Sequence, residues 1–315
     1  MSHFFKLEPE LVMSAVEAAG FEPTGEFSQL NSYENRVFEV KLETFERVIV
    51  KFYRPQRWSE AALRDEHQFL HELAAEGIKV VEPLRLKSQD TLLLFQGMYL
   101  SVFPKLRAKM PEELLPKDLV RVGKLLARIH NVGAQQRAQD RLFLDAETFG
   151  WNSLAVLQEW IAPELRERYN YAASSILEVF EDQIDSRSFI RIHGDAHRGN
   201  LLSTGDEFFM VDFDDFCHGP VVQDLWMLLS GDPENFEIER DSLLEGYEEF
   251  RRFPEEQWSW IPLLRGLRIL HYSSWIARRW HDPSFPRLFP AYRDFTFWAR
   301  ETEALEQIAW TITDF

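Results

Sequence analysis

The spacing of apolar positions changes character near residue 104. Ahead of that point, after a helical start at 9–19, come short β-branched and aromatic runs at 36–42, 47–53, 79–86, 91–95 and 98–103, each bounded by turn-forming residues. Such runs predict strands. One longer helical period interrupts them at 59–75, with Ser59 as its N-cap and Gly77 as its C-terminal stop. A small antiparallel sheet with a single helix laid on it follows from that order. Beyond residue 104 the period is mostly helical: Leu119, Val122, Leu126 and Ile129 recur at i, i+3, i+7 and i+10, which is one helix face. Six of the ten tryptophans lie between Trp258 and Trp310, where they predict packing between helices. The expected fold is α+β and bilobal. Residues 1–103 form the small N-terminal lobe, residues 104–315 the larger, mostly helical lobe, and a crossing segment lies near 102–106.

Composition narrows the class without changing the fold. Hydrophobic residues make up 45% and charged residues 28% of the 315, the balance of a soluble globular protein. The longest apolar stretches, such as 92–95, fall far short of the roughly 18 residues that a membrane helix needs, so no membrane partner is expected. Residues 1–7 lack the apolar run of a secretory signal. Cys217 is the only cysteine; it has no internal disulfide partner, which points to a reducing cytoplasm. With 35 basic against 52 acidic side chains, the net charge of −17 argues against a nucleic-acid partner, whose phosphates must be met by cations.

The chemistry concentrates in Arg191–Leu202, which reads R-I-H-G-D-A-H-R-G-N-L-L. His193, Asp195 and Asn200 match the H-x-D-x-x-x-x-N spacing of a kinase catalytic loop, in which the Asp reaches an acceptor hydroxyl and the amide reaches a metal on the phosphates. Apolar pairs on both sides anchor this polar loop. The run F-F-M-V-D-F at 208–213 then predicts a strand that delivers Asp212, a second metal ligand. Lys51 stands in the apolar run 48–53, where an unpaired ammonium is costly. Glu66, fifteen residues on and inside the predicted helix, is its expected partner, and the pair would orient the α- and β-phosphates of ATP. None of the fourteen glycines forms a G-x-G or a G-x-x-x-x-G-K-[ST] pattern. Residues 30–36, with Asn31, Ser32 and Asn35, occupy the place of the phosphate-covering loop between the first two strands.

The run His193-Gly194-Asp195-Ala196-His197-Arg198-Gly199-Asn200 resembles the H-G-D-x-H-x-G-N signature of the aminoglycoside phosphotransferase and choline kinase superfamily, whose fold is protein-kinase-like. Further segments, at 30–37, 50–55, 66–69, 219–229 and 278–286, resemble its bacterial stress response kinases along nearly the whole chain. The resemblance implies an ATP-dependent Ser/Thr protein kinase of the cytoplasm, with Mg2+ as cofactor and a protein acceptor; a monomer is the expected state. It implies Asp195 as catalytic base, Asn200 and Asp212 as Mg2+ ligands and Ser32 as an ATP contact. Asp224 resembles a residue that anchors the backbone of the catalytic loop. His197 stands two residues after the base, where eukaryotic kinases often have lysine, and Asp214 replaces the glycine of D-F-G. Only eleven residues separate Asp212 from Asp224, too few for an activation loop.

Three other readings bear on these residues. A small-molecule kinase of the aminoglycoside, choline or homoserine type shares every feature above. A two-metal phosphoesterase would use His193, Asp195 and His197, but needs further histidines from other strand ends. A pseudokinase would bind nucleotide without transfer, although the lysine, the base and both metal ligands are all present. For Asp214 and Asp215, a place near the metals and a place in a solvated turn are both open. Cys217 reads as a small buried residue.

Overall fold

The computed structural model describes residues 2–5, 7–230 and 233–313. In chain order the elements are α1 (Ser2–Phe5), α2 (Pro9–Ala19), β1 (Pro23–Leu30), β2 (Arg36–Leu42), β3 (Arg47–Phe52), α3 (Glu60–Ala75), β4 (Leu93–Phe95), β5 (Met98–Pro104) and α4 (Pro116–Gly133). They continue with α5 (Asn152–Leu157), α6 (Arg166–Gln183), β6 (Ile190–Ile192), β7 (Leu201–Ser203), β8 (Phe208–Met210), β9 (Cys217–Gly219), α7 (Val222–Trp226), α8 (Pro233–Glu248), α9 (Ile261–Arg278), α10 (Phe285–Leu288) and α11 (Phe295–Thr313). By contacts the chain divides into two compact units. One comprises Met1–Arg141, Asp195–Phe216 and Met227–Arg252; the other comprises Leu142–Gly194, Cys217–Trp226 and Phe253–Phe315.

The first unit is built on a five-stranded antiparallel sheet in the order β1-β2-β3-β5-β4. Alternation decides which side chains face which layer. Phe38, Val40 and Leu42 of β2 and Val48, Val50 and Phe52 of β3 pack into one core with Val12, Val16 and Ala19 of α2. Lys51 lies between Val50 and Phe52, so it points to the opposite face, in register with Val37 and Ser101. Helix α3 starts where Ser59 accepts a hydrogen bond from the Ala62 amide at 3.0 Å, as its sequence predicts. His67 of α3 lies within hydrogen-bonding distance of the hydroxyls of Tyr53 (3.0 Å), Ser101 (3.2 Å) and Thr91 (2.8 Å), which fixes the helix to this face of the sheet.

One expectation fails locally. Residues 79–86 form no strand: Val80 makes a single bridge to Met210, and the Leu84 amide donates alone to the Val102 carbonyl. Pro83, which has no N–H, interrupts the run. Conversely, Pro23–Leu30 forms the edge strand β1, although no side chain in it is buried and it has no apolar alternation to announce it.

Helices α4 and α8 meet through glycine. A Cβ on Gly123 would stand 2.1 Å from the Leu243 carbonyl oxygen, and one on Gly246 would stand 1.8 Å from that of Val120. The second unit packs α6, α9 and α11 around aromatic side chains. Trp298 meets Tyr169 and Tyr292, and Trp275 meets Phe285. Trp310 departs from the expected packing and is 79% exposed.

Candidate active site

The first unit brings Lys51, Glu66 and Asp212 into one cluster. The buried Lys51 ammonium lies 3.0 Å from Asp212 Oδ1, 3.2 Å from Asp214 Oδ1 and 3.5 Å from Glu66 Oε1. Its burial alone would pull the ammonium's pKa down. The carboxylates of Asp212, Asp214 and Glu66 outweigh that, so it titrates well above the ordinary lysine value and stays charged. Burial pushes Glu66 up to about 7 against the opposing pull of Lys51 and Arg141.

Asp212 lies two residues past the end of β8, at φ 62° and ψ 62°. This left-handed backbone is rare outside glycine, asparagine and aspartate. It turns the chain into the short 3-10 segment Phe213–Asp215. The turn is held against α3 by Phe69, whose ring lies 5.8 Å from that of Phe213 and 5.2 Å from that of Phe216. The Asp212 carboxylate is 55% exposed, whereas that of Asp214 is buried.

Asp195 and Asn200 form the neighbouring loop. The Asn200 side-chain amide donates to the Asp195 carbonyl at 2.9 Å, which fixes the amide nitrogen and leaves its oxygen as an available ligand. The Asn200 carbonyl accepts from the Val211 amide at 3.0 Å, so the loop is tied to the residue just before Asp212. His197 Nε2 stands 3.4 Å from Asp195 Oδ2. A Cβ on Gly199 would stand 2.7 Å from the His197 ring, so glycine makes room for this imidazole. In the second unit, Asp224 is fully buried and accepts the backbone amides of His193 at 2.7 Å and Gly194 at 2.8 Å. His193 and Cys217 are buried there as well.

Ser32 is half-buried in the loop between β1 and β2, and it shares no hydrogen bond with the other candidate residues. The loop is anchored elsewhere. Arg54 donates to the Glu34 and Tyr33 carbonyls at 3.0 and 3.2 Å, and Asn35 donates to Asp214 Oδ2 at 3.2 Å.

Two arginines that the sequence reading passed over complete the cluster. The Arg141 side chain is wholly buried, 4.4 Å from the Trp58 ring and 4.3 Å from the Phe216 ring. It donates to the Ala62 carbonyl (3.0 Å), the Asp214 carbonyl (2.7 Å) and Glu66 Oε2 (3.4 Å). Arg57 donates to the carboxylates of both Asp214 and Asp215. Asp214 is thereby a buried, charged member of the cluster: burial opposes its ionisation, but Arg57, Lys51 and Arg141 hold it well below the ordinary carboxylate range. Buried cations require buried anions, and the turn residues Asp214 and Asp215 were the available signal for such partners.

Among the described residues no three His, Cys, Asp or Glu side chains converge as a metal cage. Asp212 and Asn200 instead offer a carboxylate and an amide oxygen. That donor set suits Mg2+, which usually takes one or two protein ligands and completes its shell with water and phosphate oxygens. The arrangement can therefore hold a phosphate chain on Lys51, a cation on Asp212 and Asn200, and an acceptor hydroxyl at Asp195.

The sequence pattern of the phosphotransferase enzyme family (APH) matches residues 26–260. Stress response kinase A of Escherichia coli strain K12 is 34% identical over 307 residues, covering 95% of this chain and 92% of that one. The protein named serine/threonine protein kinase RdoA in Salmonella typhimurium strain LT2 is 35% identical over 302 residues with the same coverage. Among solved structures, an amicoumacin kinase in complex with AMP-PNP, Ca2+ and Ami superposes with a TM-score of 0.78 at 17% identity, over 95% of this chain and 93% of that one. A microcompartment-associated aminopropanol kinase superposes with a TM-score of 0.72 at 17% identity, over 96% and 95%. The fold is thus the protein-kinase-like one of these enzymes, and with relatives one-third identical along almost their entire length the chain belongs to the phosphotransferase enzyme family.

Proposed function

We propose that this protein is a kinase that uses ATP and Mg2+ to transfer the γ-phosphate to a hydroxyl, with serine or threonine of a protein as acceptor and the bacterial cytoplasm under stress as its setting. The observation that carries the reading is the Lys51 ammonium, buried between Glu66 at 3.5 Å and Asp212 at 3.0 Å. Glu66 orients Lys51 toward the α- and β-phosphates. Asp212 and Asn200 hold Mg2+, which when bound neutralises charge on the transferring phosphoryl group. Asp195 orients the acceptor hydroxyl and takes its proton. Ser32 and its loop cover the phosphates. Residues 1–103 supply the nucleotide-binding lobe, and residues 104–315 the catalytic and acceptor lobe. Catalysis in this scheme is positioning plus charge stabilisation.

Transfer of labelled γ-phosphate in the presence of Mg2+, tested on protein acceptors beside small hydroxyl compounds, decides the reading. Labelled serine or threonine supports it. Label on small alcohols alone supports the second reading, a small-molecule kinase, which the names of the superposed amicoumacin and aminopropanol kinases favour. Nucleotide binding without transfer, or phosphoester hydrolysis without ATP, refutes both. Asp195→Ala abolishes transfer and leaves nucleotide affinity nearly unchanged; retained transfer refutes the role of Asp195.

A further inference from the structure

The turn after β8 carries three carboxylates within four residues, Asp212, Asp214 and Asp215, of which a divalent cation needs one. Arg57 separates them. Its guanidinium is 11% exposed and lies 5.3 Å from the Trp58 ring. It spends one terminal nitrogen on Asp214 and the other on Asp215, and its Nε stands 3.6 Å from Glu34 of the loop between β1 and β2. Asp212 receives no arginine: among the described residues, Lys51 is the cation within ion-pair distance of its carboxylate. The same guanidinium therefore occupies the two competing carboxylates and ties the loop to the turn, with the bond from Asn35 to Asp214 as a second tie.

We infer that Arg57 is a positioning residue that reserves Asp212 for the cation by occupying Asp214 and Asp215, while it latches the 31–35 loop over the phosphates. The inference rests on the kinase reading for the identity of the phosphates. The sorting of the carboxylates stands on geometry alone. A planar, delocalised guanidinium can span three acceptors, whereas a lysine ammonium is a compact point charge and cannot.

The test separates the two effects. In the nucleotide-free protein, Arg57→Met frees Asp215 and leaves Asp214 with Lys51 and Asn35, so Mn2+, followed by its paramagnetic resonance signal, binds about fivefold tighter or more; an added charge-assisted contact supplies differences of that order. In the same variant, the affinity for AMP-PNP measured by calorimetry falls about tenfold, because the loop loses one of its ties, beside those of Asn35 and Arg54. Arg57→Lys keeps a charge beside Asp214 and Asp215 but cannot also reach Glu34, so it restores the wild-type Mn2+ affinity and retains the nucleotide defect. Should Arg57→Met fail to fold, Arg57→Lys decides alone by that split. Parallel weakening of both ligands, or no change in either, overturns the inference and leaves a merely structural arginine. Failure of the wild type to transfer phosphate would instead overturn the kinase reading, and the Mn2+ result would still decide the role of Arg57.

Discussion

Arg141 offers the sharpest test of how the cluster is held together. Replacing it by methionine keeps most of the volume between the Trp58 and Phe216 rings but removes every donor. The carbonyls of Ala62 and Asp214 then lose a charged partner, and among the described residues Glu66 keeps Lys51, 3.5 Å away, as its ion-pair partner. Removing one partner of a buried ion pair costs about 3–5 kcal/mol, and the surviving Lys51 contact places this case near the lower end, about 3 kcal/mol. With an unfolding entropy of about 2.1 cal/mol/K per residue over the chain, that is a fall in Tm of about 5 °C when the whole chain unfolds together. If the cost is mainly an uncompensated carboxylate, neutralising it must help. The double variant with Glu66→Gln should recover at least about 1.5 kcal/mol relative to the sum of the single variants. The pH dependence gives the same sign. Burial raises Glu66 to about 7, so it is largely neutral at pH 6 and demands no second cation there. The deficit of Arg141→Met is accordingly larger at pH 8 than at pH 6. Thermal unfolding of the four proteins at both pH values is the assay. A fall below about 1 °C, or strict additivity in the double variant, refutes the charge argument.

Gly123→Ala and Gly246→Ala each drive a methyl group into a backbone carbonyl of the facing helix and should cost about 3 kcal/mol in urea denaturation, with the slope unchanged. Burial holds His67 neutral, with its pKa lowered to about 3. A depressed histidine supports the fold above its unfolded value near 6.5 and loses that support as pH falls toward 3. Denaturation midpoints should therefore fall across this window by an amount worth about 4–5 kcal/mol, and His67→Gln should flatten the profile. Asp224→Asn leaves one acceptor for the two buried amides of His193 and Gly194 and should cost about 2–3 kcal/mol by chemical denaturation.

The parts of this protein that could be read from sequence are those in which local pattern and chemistry coincide. Ser59 caps its helix because the apolar period begins just after it, and Lys51 stands out because an ammonium inside an apolar strand demands a partner. Asp195 and Asn200 are close in sequence, and their loop geometry follows from that closeness. Arg57 and Arg141 were missed for the opposite reason. Each stands in a polar stretch that reads as surface, and the carboxylates it meets include ones 75 to 158 positions away. The expected strand at 79–86 failed through Pro83 and the lack of a laddered neighbour, while β1 formed without any apolar alternation because both its faces stay largely open.

The backbone of Asp212 governs how its carboxylate should be interrogated. Alanine scanning at this residue confounds two losses: the side-chain oxygens disappear, and a Cβ-bearing residue with no polar group to compensate must adopt a left-handed twist that costs about 1–2 kcal/mol. Asparagine tolerates that twist and preserves the shape while discarding the charge. Pairing Asp212→Asn with Asp212→Ala thus resolves, from a single codon, how much of any deficit is electrostatic and how much is conformational.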